Sequence, residues 1–262
     1  GTMTGGTINS GTWFVVGRNN GATGTFTMSG GTVNAATANG VATIASSQAS
    51  TGTLSVNGGV FNSSHGVLVG EAYFTNVAGT AAGIVNVSGT GLLDTGTSGI
   101  TLAVQNNSSG TVNLDGGTIR TGKISQGTGS GGGTFNFNGG LLKAGASSTT
   151  FLSGLTTVNV KNGGANIVTD AYNITVGNAL LEDGVSTGGG LTKTGIGKLS
   201  LDGVNTYTGT TTVTAGSLGG TGTIASLVDV QSGAGLDFIN GSSSGTLTLQ
   251  NGLKLSDTNL LT

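Results

Sequence analysis

The chain contains no cysteine and no proline among its 262 residues. Without Cys a disulfide scaffold is impossible. Without Pro, and without a strict three-residue period, a collagen-like helix is excluded. Charge is also scarce, with eight basic residues, ten acidic residues and one His, for a net charge of −2. Ordinary disordered chains are rich in charge and Pro, so this composition does not fit them. The basic residues are scattered from Arg18 to Lys254 without a cluster, which leaves no electrostatic footprint for nucleic acid. No apolar run approaches the ~20 residues of a helical membrane span. No signal-peptide pattern is present and the first residue is Gly1, so a processed or excised piece of a longer protein is expected, and the missing signal does not argue against secretion.

What fills the space is small and polar. There are 54 Gly, 44 Thr, 26 Ser and 23 Asn, together more than half of the chain, where ordinary glycine usage is ~7%. Apolar residues make up 35%, enough for a narrow core.

The sequence repeats itself. GTFTMSGGTVN (24–34), GTLSVNGGVFN (52–62), GIVNVSGTGLLD (83–94), GTVNLDGGTIR (110–120) and GTFNFNGGLLK (133–143) are versions of one unit, with a looser copy at 157–167 and a truncated one at the start. The second position of each pair (Gly6, Gly31, Gly59, Gly91, Gly117, Gly140, Gly164) recurs at 25, 28, 32, 26, 23 and 24 residues. Within a unit, Phe26/Met28, Leu54/Val56, Val112/Leu114 and Phe135/Phe137 alternate with polar residues, the period of a β-strand. Gly-Gly follows and supplies positive φ at low steric cost. A further apolar stretch completes several units: WFVVG (13–17), VLVG (67–70), ITLAV (100–104) and ITVG (174–177). Each unit reads as strand, tight turn, strand, and then a third short strand. A unit this small cannot bury its own apolar side chains, but stacked units share one continuous core. The expected fold is all-β, a right-handed parallel β-helix of about ten coils of ~25 residues. A two-sheet sandwich with Gly-rich hairpins is the alternative. Asn34, Asn57, Asn62 and Asn138 at the corners are expected to stack in ladders.

From Gly190 to Leu218 the chain reads GLTKTGIGKLSLDGVNTYTGTTTVTAGSL. Leu191, Lys193, Gly195, Gly197, Leu199, Leu201, Asn205, Tyr207, Gly209, Val213 and Gly216 fall on a pattern that resembles the passenger-associated transport repeat of bacterial autotransporters. The glycine-rich units upstream resemble autotransporter-type coils more loosely. The resemblance implies a right-handed parallel β-helix exported to the cell surface, where the repeat helps the passenger fold and move outward. One solenoid domain over 1–262 is expected, with the Gly-Gly coils in 1–180 and transport-repeat-like coils in 190–262. Lys193 and Lys198 are expected at turns or outward positions, and Tyr207 at a packed corner. No β-barrel translocator pattern accompanies the repeat. The abrupt ends at Gly1 and Thr262 suggest rungs covered by neighbouring polypeptide or by another copy.

Residues for chemistry are few. His65 is the lone His, and Glu71 six residues on is its only suggestive neighbour; three or four metal ligands are not in sight. Glycoside hydrolysis needs two facing carboxylates, and Glu182-Asp183 is the only adjacent pair, in what reads as a charged turn. Asp94, Asp115 and Asp202 follow strands and are expected to line one edge as a solubilising row. Thr25/Thr27 and Thr210/Thr212 start Thr-x-Thr ranks of the kind ice binding needs, but the ranks between are mixed. Trp13-Phe14 and Tyr73-Phe74 concentrate the aromatics, either as core or as a sugar-stacking surface. The expectation is a structural segment without catalytic, cofactor-binding or metal residues: a surface passenger stalk or an extracellular fibre subunit that stacks end to end. The alternatives are an adhesin that binds surface carbohydrate or host matrix through corner loops (62–83 above all), and a polysaccharide-active enzyme.

Overall fold

The computed structural model describes residues 1–38, 40–73, 79–240, 243–244, 246–256 and 260–261. Period-two alternation yields strands wherever it occurs, and among the described residues there is no helix. The strands form a fifteen-stranded sheet, an eleven-stranded sheet and, late in the chain, a three-stranded sheet. All pairs in these sheets are parallel and join one coil to the next; the only antiparallel pair among the described residues is the small Ile239–Asn240/Ser243–Ser244 ribbon. The chain is a parallel β-solenoid of about ten turns. A sandwich of hairpins is thereby ruled out.

The Gly-Gly pairs do not reverse the chain. In Thr23–Asn34, Thr51–Asn62, Ala81–Asp94 and Ser108–Thr121 the strand runs through the glycines as one continuous, bent ladder of 12 or 14 residues. The bend appears as a register irregularity, as between Val56 and Val60. Gly59 shows why glycine is needed: its φ is +76°, and a Cβ there would stand 2.3 Å from the Gly31 carbonyl oxygen of the coil before. In the fifth unit the ladder splits into Gly133–Phe137 and Leu141–Ala144.

The eleven-stranded sheet holds the third strand of each coil. Three of its members, Ala42–Ile44, Lys123–Gln126 and Ser148–Ser153, are not read from the sequence, and the last two carry too few apolar residues to stand out. Register sets the coil length. Val67 pairs with Ile100, 33 residues on, Ile100 with Ile124, 24 on, then Leu199 with Leu218, 19 on, and Leu218 with Leu236, 18 on. The coil therefore tightens between Leu199 and Leu236, and lengthens again where Leu236 pairs with Leu261, 25 on.

Inward side chains stack into columns. One runs Met28, Val56, Val87, Leu114, Phe137 and Val160, each paired with the next and each fully buried. Phe14 packs edge-on against Phe26 and Phe61, with centroids 5.3 and 5.1 Å apart. Outward positions stack as well. Asn34 donates to Asn9 at 2.7 Å and Asn62 to Asn34 at 2.9 Å. A longer ladder runs along the middle of the first strand arm: Asn113 donates to Asn86 (2.8 Å), Asn136 to Asn113 (2.7 Å) and Asn159 to Asn136 (2.8 Å). Of the Asn residues expected to stack at corners, Asn34 and Asn62 do. Asn57 instead accepts from Ser88, and Asn138 donates to Asp115.

Candidate functional site

The solenoid disperses most of the candidate acids. Asp94 takes the next place after Asn62 in the corner ladder and pairs with Arg120 at 3.1 Å. Asp115 follows the first strand arm and accepts from Asn138 at 2.9 Å. Asp202 follows the eleven-stranded sheet and accepts from the Thr221 N–H at 2.9 Å. These are three different positions of the coil, so the expected single row of Asp94, Asp115 and Asp202 does not form. Glu182 accepts from the N–H groups of Gly188 (2.6 Å) and Thr208 (2.8 Å) and from the Thr208 hydroxyl. Its partial burial pushes the carboxyl up, but these hydrogen bonds outweigh it and the net shift is downward. Asp183 accepts from Ser186 and Val185 and is also lowered, chiefly by those bonds. The pair is a turn staple, as its sequence suggested. The strand Val67–Val69 separates His65 from Glu71, and the His65 ring instead meets the Ala36 carbonyl at 3.1 Å. Among the described residues no three His, Cys, Asp or Glu are grouped to hold a metal.

Stacking does bring together two places that the sequence keeps sixty residues apart. Trp13, Val15, Arg18, Thr43, Ser46, Glu71 and Tyr73 line a cleft of about 190 Å³. Its floor is the outer face of the eleven-stranded sheet, where Val15 pairs with Thr43. Trp13 precedes the first strand of that sheet. Arg18, Ser46, Glu71 and Tyr73 lie in the loops after its first three strands, and backbone bonds keep those loops in register: Ser46 N–H donates to Gly17 and Tyr73 N–H to Ser46, both at 2.9 Å. Ala45 (φ 62°) and Ala72 (φ 51°) take left-handed conformations beside the lining residues. Trp13 is 60% and Tyr73 62% exposed, whereas Phe14 turns inward to the core. Phe74 lies outside the described residues. The half-buried Glu71 carboxyl is pushed up from its ordinary value by burial. Among the described residues neither Glu71 nor Arg18 has an ion-pair partner, and the buried Thr43 Oγ1 has no hydrogen-bond partner.

The tight coils of the last third carry the other cluster of unusual residues. Lys193 pairs with Ile167 on one side and Val213 on the other, inside a column of fully buried apolar side chains. Its own side chain is fully buried. Its Nζ donates to Gly195 O (2.6 Å), Ala215 O (2.9 Å), Thr169 Oγ1 (3.0 Å) and Thr194 O (3.2 Å). The expectation that Lys193 points outward is thus corrected. Its parity with Leu191 was the available signal, because positions two apart share a face of a strand. The ammonium supplies donors to carbonyls that face one another across two coils. Lys198 does lie outward, at the start of its strand, and pairs with Asp237 at 3.2 Å. Asn205 is buried and binds three segments: it accepts from Leu180 N–H at 3.0 Å and donates to Gly203 O (3.0 Å) and Thr223 O (2.9 Å). Tyr207 is fully buried, and its hydroxyl meets Thr211 Oγ1 at 2.6 Å, which in turn meets Ser226 Oγ at 3.0 Å. Burial raises the Tyr207 hydroxyl to about 12.

Residues 191–218 match the passenger-associated-transport-repeat family model. Neither the comparison with curated proteins nor that with solved structures found a match. The matched segment and the solenoid around it fit a passenger β-helix segment. The geometry gives the transport repeat a physical meaning. It spans two successive rungs, Leu191–Thr194 and Thr211–Val213 in one sheet and Lys198–Leu201 and Ser217–Gly219 in the other. Its apolar positions are core. Its Lys193, Asn205 and Tyr207 are interior polar groups, each hydrogen-bonded to the corners of the tight coil. None of the three is offered to a ligand.

Proposed function

We propose that the chain serves as a stiff structural segment of a protein displayed on, or secreted from, a bacterial surface, and that it works by shape rather than by turnover. The observation that carries this reading is the unbroken parallel ladder. Eleven strands of one sheet pair coil to coil from Phe14 to Leu261, and the transport repeat sits within that ladder as two ordinary rungs. Ten steps of ~4.8 Å make a rod about 48 Å long. The reading as a non-enzyme is supported by the placement of Asp94, Asp115, Asp202, Glu182 and Asp183, each engaged in local hydrogen bonds or an ion pair. A surface location is supported by the family to which the repeat belongs.

Negative-stain electron microscopy of the purified chain, with image averaging, tests this. Rods about 48 Å long and of uniform width are expected. Continuous filaments would extend the same reading to a fibre subunit, through a head-to-tail contact that does not close. Rounded particles or an extended flexible chain would contradict it.

A further inference from the structure

We propose that the cleft between Trp13 and Tyr73 is a binding site for a neutral saccharide, taking one ring of a longer glycan. Two aromatic side chains, Trp13 and Tyr73, line this one cleft, each more than half exposed. A pyranose ring has apolar C–H faces that lie on aromatic faces and a rim of hydroxyls that need donors and acceptors. The rim has partners here: the Arg18 guanidinium donates, the Glu71 carboxylate accepts, and the Ser46 hydroxyl does either. Two of these groups keep unmet capacity: among the described residues, Arg18 and Glu71 lack ion-pair partners.

Charge selects the class. Arg18 opposes a cation, so two aromatics and a carboxylate do not make a cage for a quaternary ammonium. Glu71 opposes a phosphate or a sugar acid. The opposed pair suits an uncharged polyhydroxyl. At about 190 Å³ the cleft is smaller than the ~300–1,000 Å³ of pockets that enclose a whole small molecule, which suits one ring of a chain lying along the outer face of the sheet. The inference stands apart from the structural reading: rods without sugar binding would remove the site and leave the rod.

Trp13 is the only tryptophan in the chain, so its fluorescence reports this cleft alone. The probes are neutral tri- to hexasaccharides of glucan, mannan and galactan type, with an oligogalacturonate and phosphocholine as charged comparisons. A saturable change in Trp13 emission is expected with a neutral probe, at a dissociation constant of about 1 mM or below. Tyr73→Ala should weaken it at least about tenfold, and Glu71→Gln should weaken it too. Both variants should keep the parent's thermal midpoint and circular dichroism, because Tyr73 is mostly exposed and Glu71 has no ion-pair partner among the described residues. Calorimetric titration of Trp13→Ala should show the same loss. No saturable response to any neutral probe up to about 10 mM would overturn the proposal. So would a response that Tyr73→Ala leaves unchanged, or tighter binding of either charged probe.

Discussion

Lys193 is the residue at which the chain departs furthest from simple patterning. A lysine in a column of Ile167 and Val213 is a buried cation that has no carboxylate partner among the described residues. Its stabilisation comes from the carbonyls of Thr194, Gly195 and Ala215 and from the Thr169 hydroxyl. Burial still lowers it from an ordinary 10.5 to about 8. Between those two values the unfolded chain holds the proton and the folded chain does not. Stability therefore rises with pH across that window, by on the order of 3 kcal/mol, and is flat with respect to this group below about 8. Tyr207 acts in the opposite sense higher up. Its ordinary value of 10.0 is raised to about 12 by burial, so folding keeps it neutral where the unfolded chain ionises, and its contribution is lost between those values. Urea midpoints should climb from pH 8 towards pH 10 and fall beyond. Lys193→Met should remove the climb while keeping the fall. A climb of equal size in Lys193→Met would show that another group causes it. The sequence placed Lys193 in the motif but not in the core, since charge argued outward while the alternation with Leu191 argued inward, and the alternation prevailed.

At the scale of elements, stability rests on like residues stacked on like. The Asn86–Asn113–Asn136–Asn159 ladder joins four coils through side-chain amides on an outward rank. Asn136→Ala removes two of its bonds at once. A loss of about 1–2 kcal/mol is expected, read as a lower urea midpoint with an unchanged slope. A loss within error would mean that water replaces the ladder without cost. The strand arms, the place of the Gly-Gly bends (read as tight turns) and four of the third strands were legible because apolar period two and Gly-Gly carry them. The alternation also holds the ladder rank, as VNV, VNL, FNF and VNV, where a polar residue between two apolar ones reads as an ordinary outward position. Other features are set by contacts between coils and have no local signature. Lys123–Gln126 is a strand because Gly99–Leu102 lies beside it in register. The shortening to 19 and 18 residues accompanies the three-stranded sheet built from Val204–Asn205, Thr223–Ile224 and Thr248–Leu249. The cleft, too, was invisible as a site. Trp13-Phe14 and Tyr73-Phe74 were legible as aromatic pairs, but only the superposition of three loops sets Trp13 and Tyr73 around one space.

For the whole molecule the central claim is in-register stacking of parallel coils, from which the rod, the ladders and the cleft all follow. Thr25, Thr53, Thr111, Thr134 and Thr157 lie on one outward rank, with Ile84 between the second and third, each paired with the next. The chain has no cysteine, so spin labels can be placed at two chosen positions without background. The decisive measurement is the pulsed electron–electron distance in Thr25→Cys/Thr157→Cys, compared with Thr53→Cys/Thr157→Cys. Five steps of ~4.8 Å place the first pair about 24 Å apart, in a narrow distribution, and the second pair shorter by about one step. A broad distribution, or two distances that do not differ by one step, would contradict the solenoid and everything built on it.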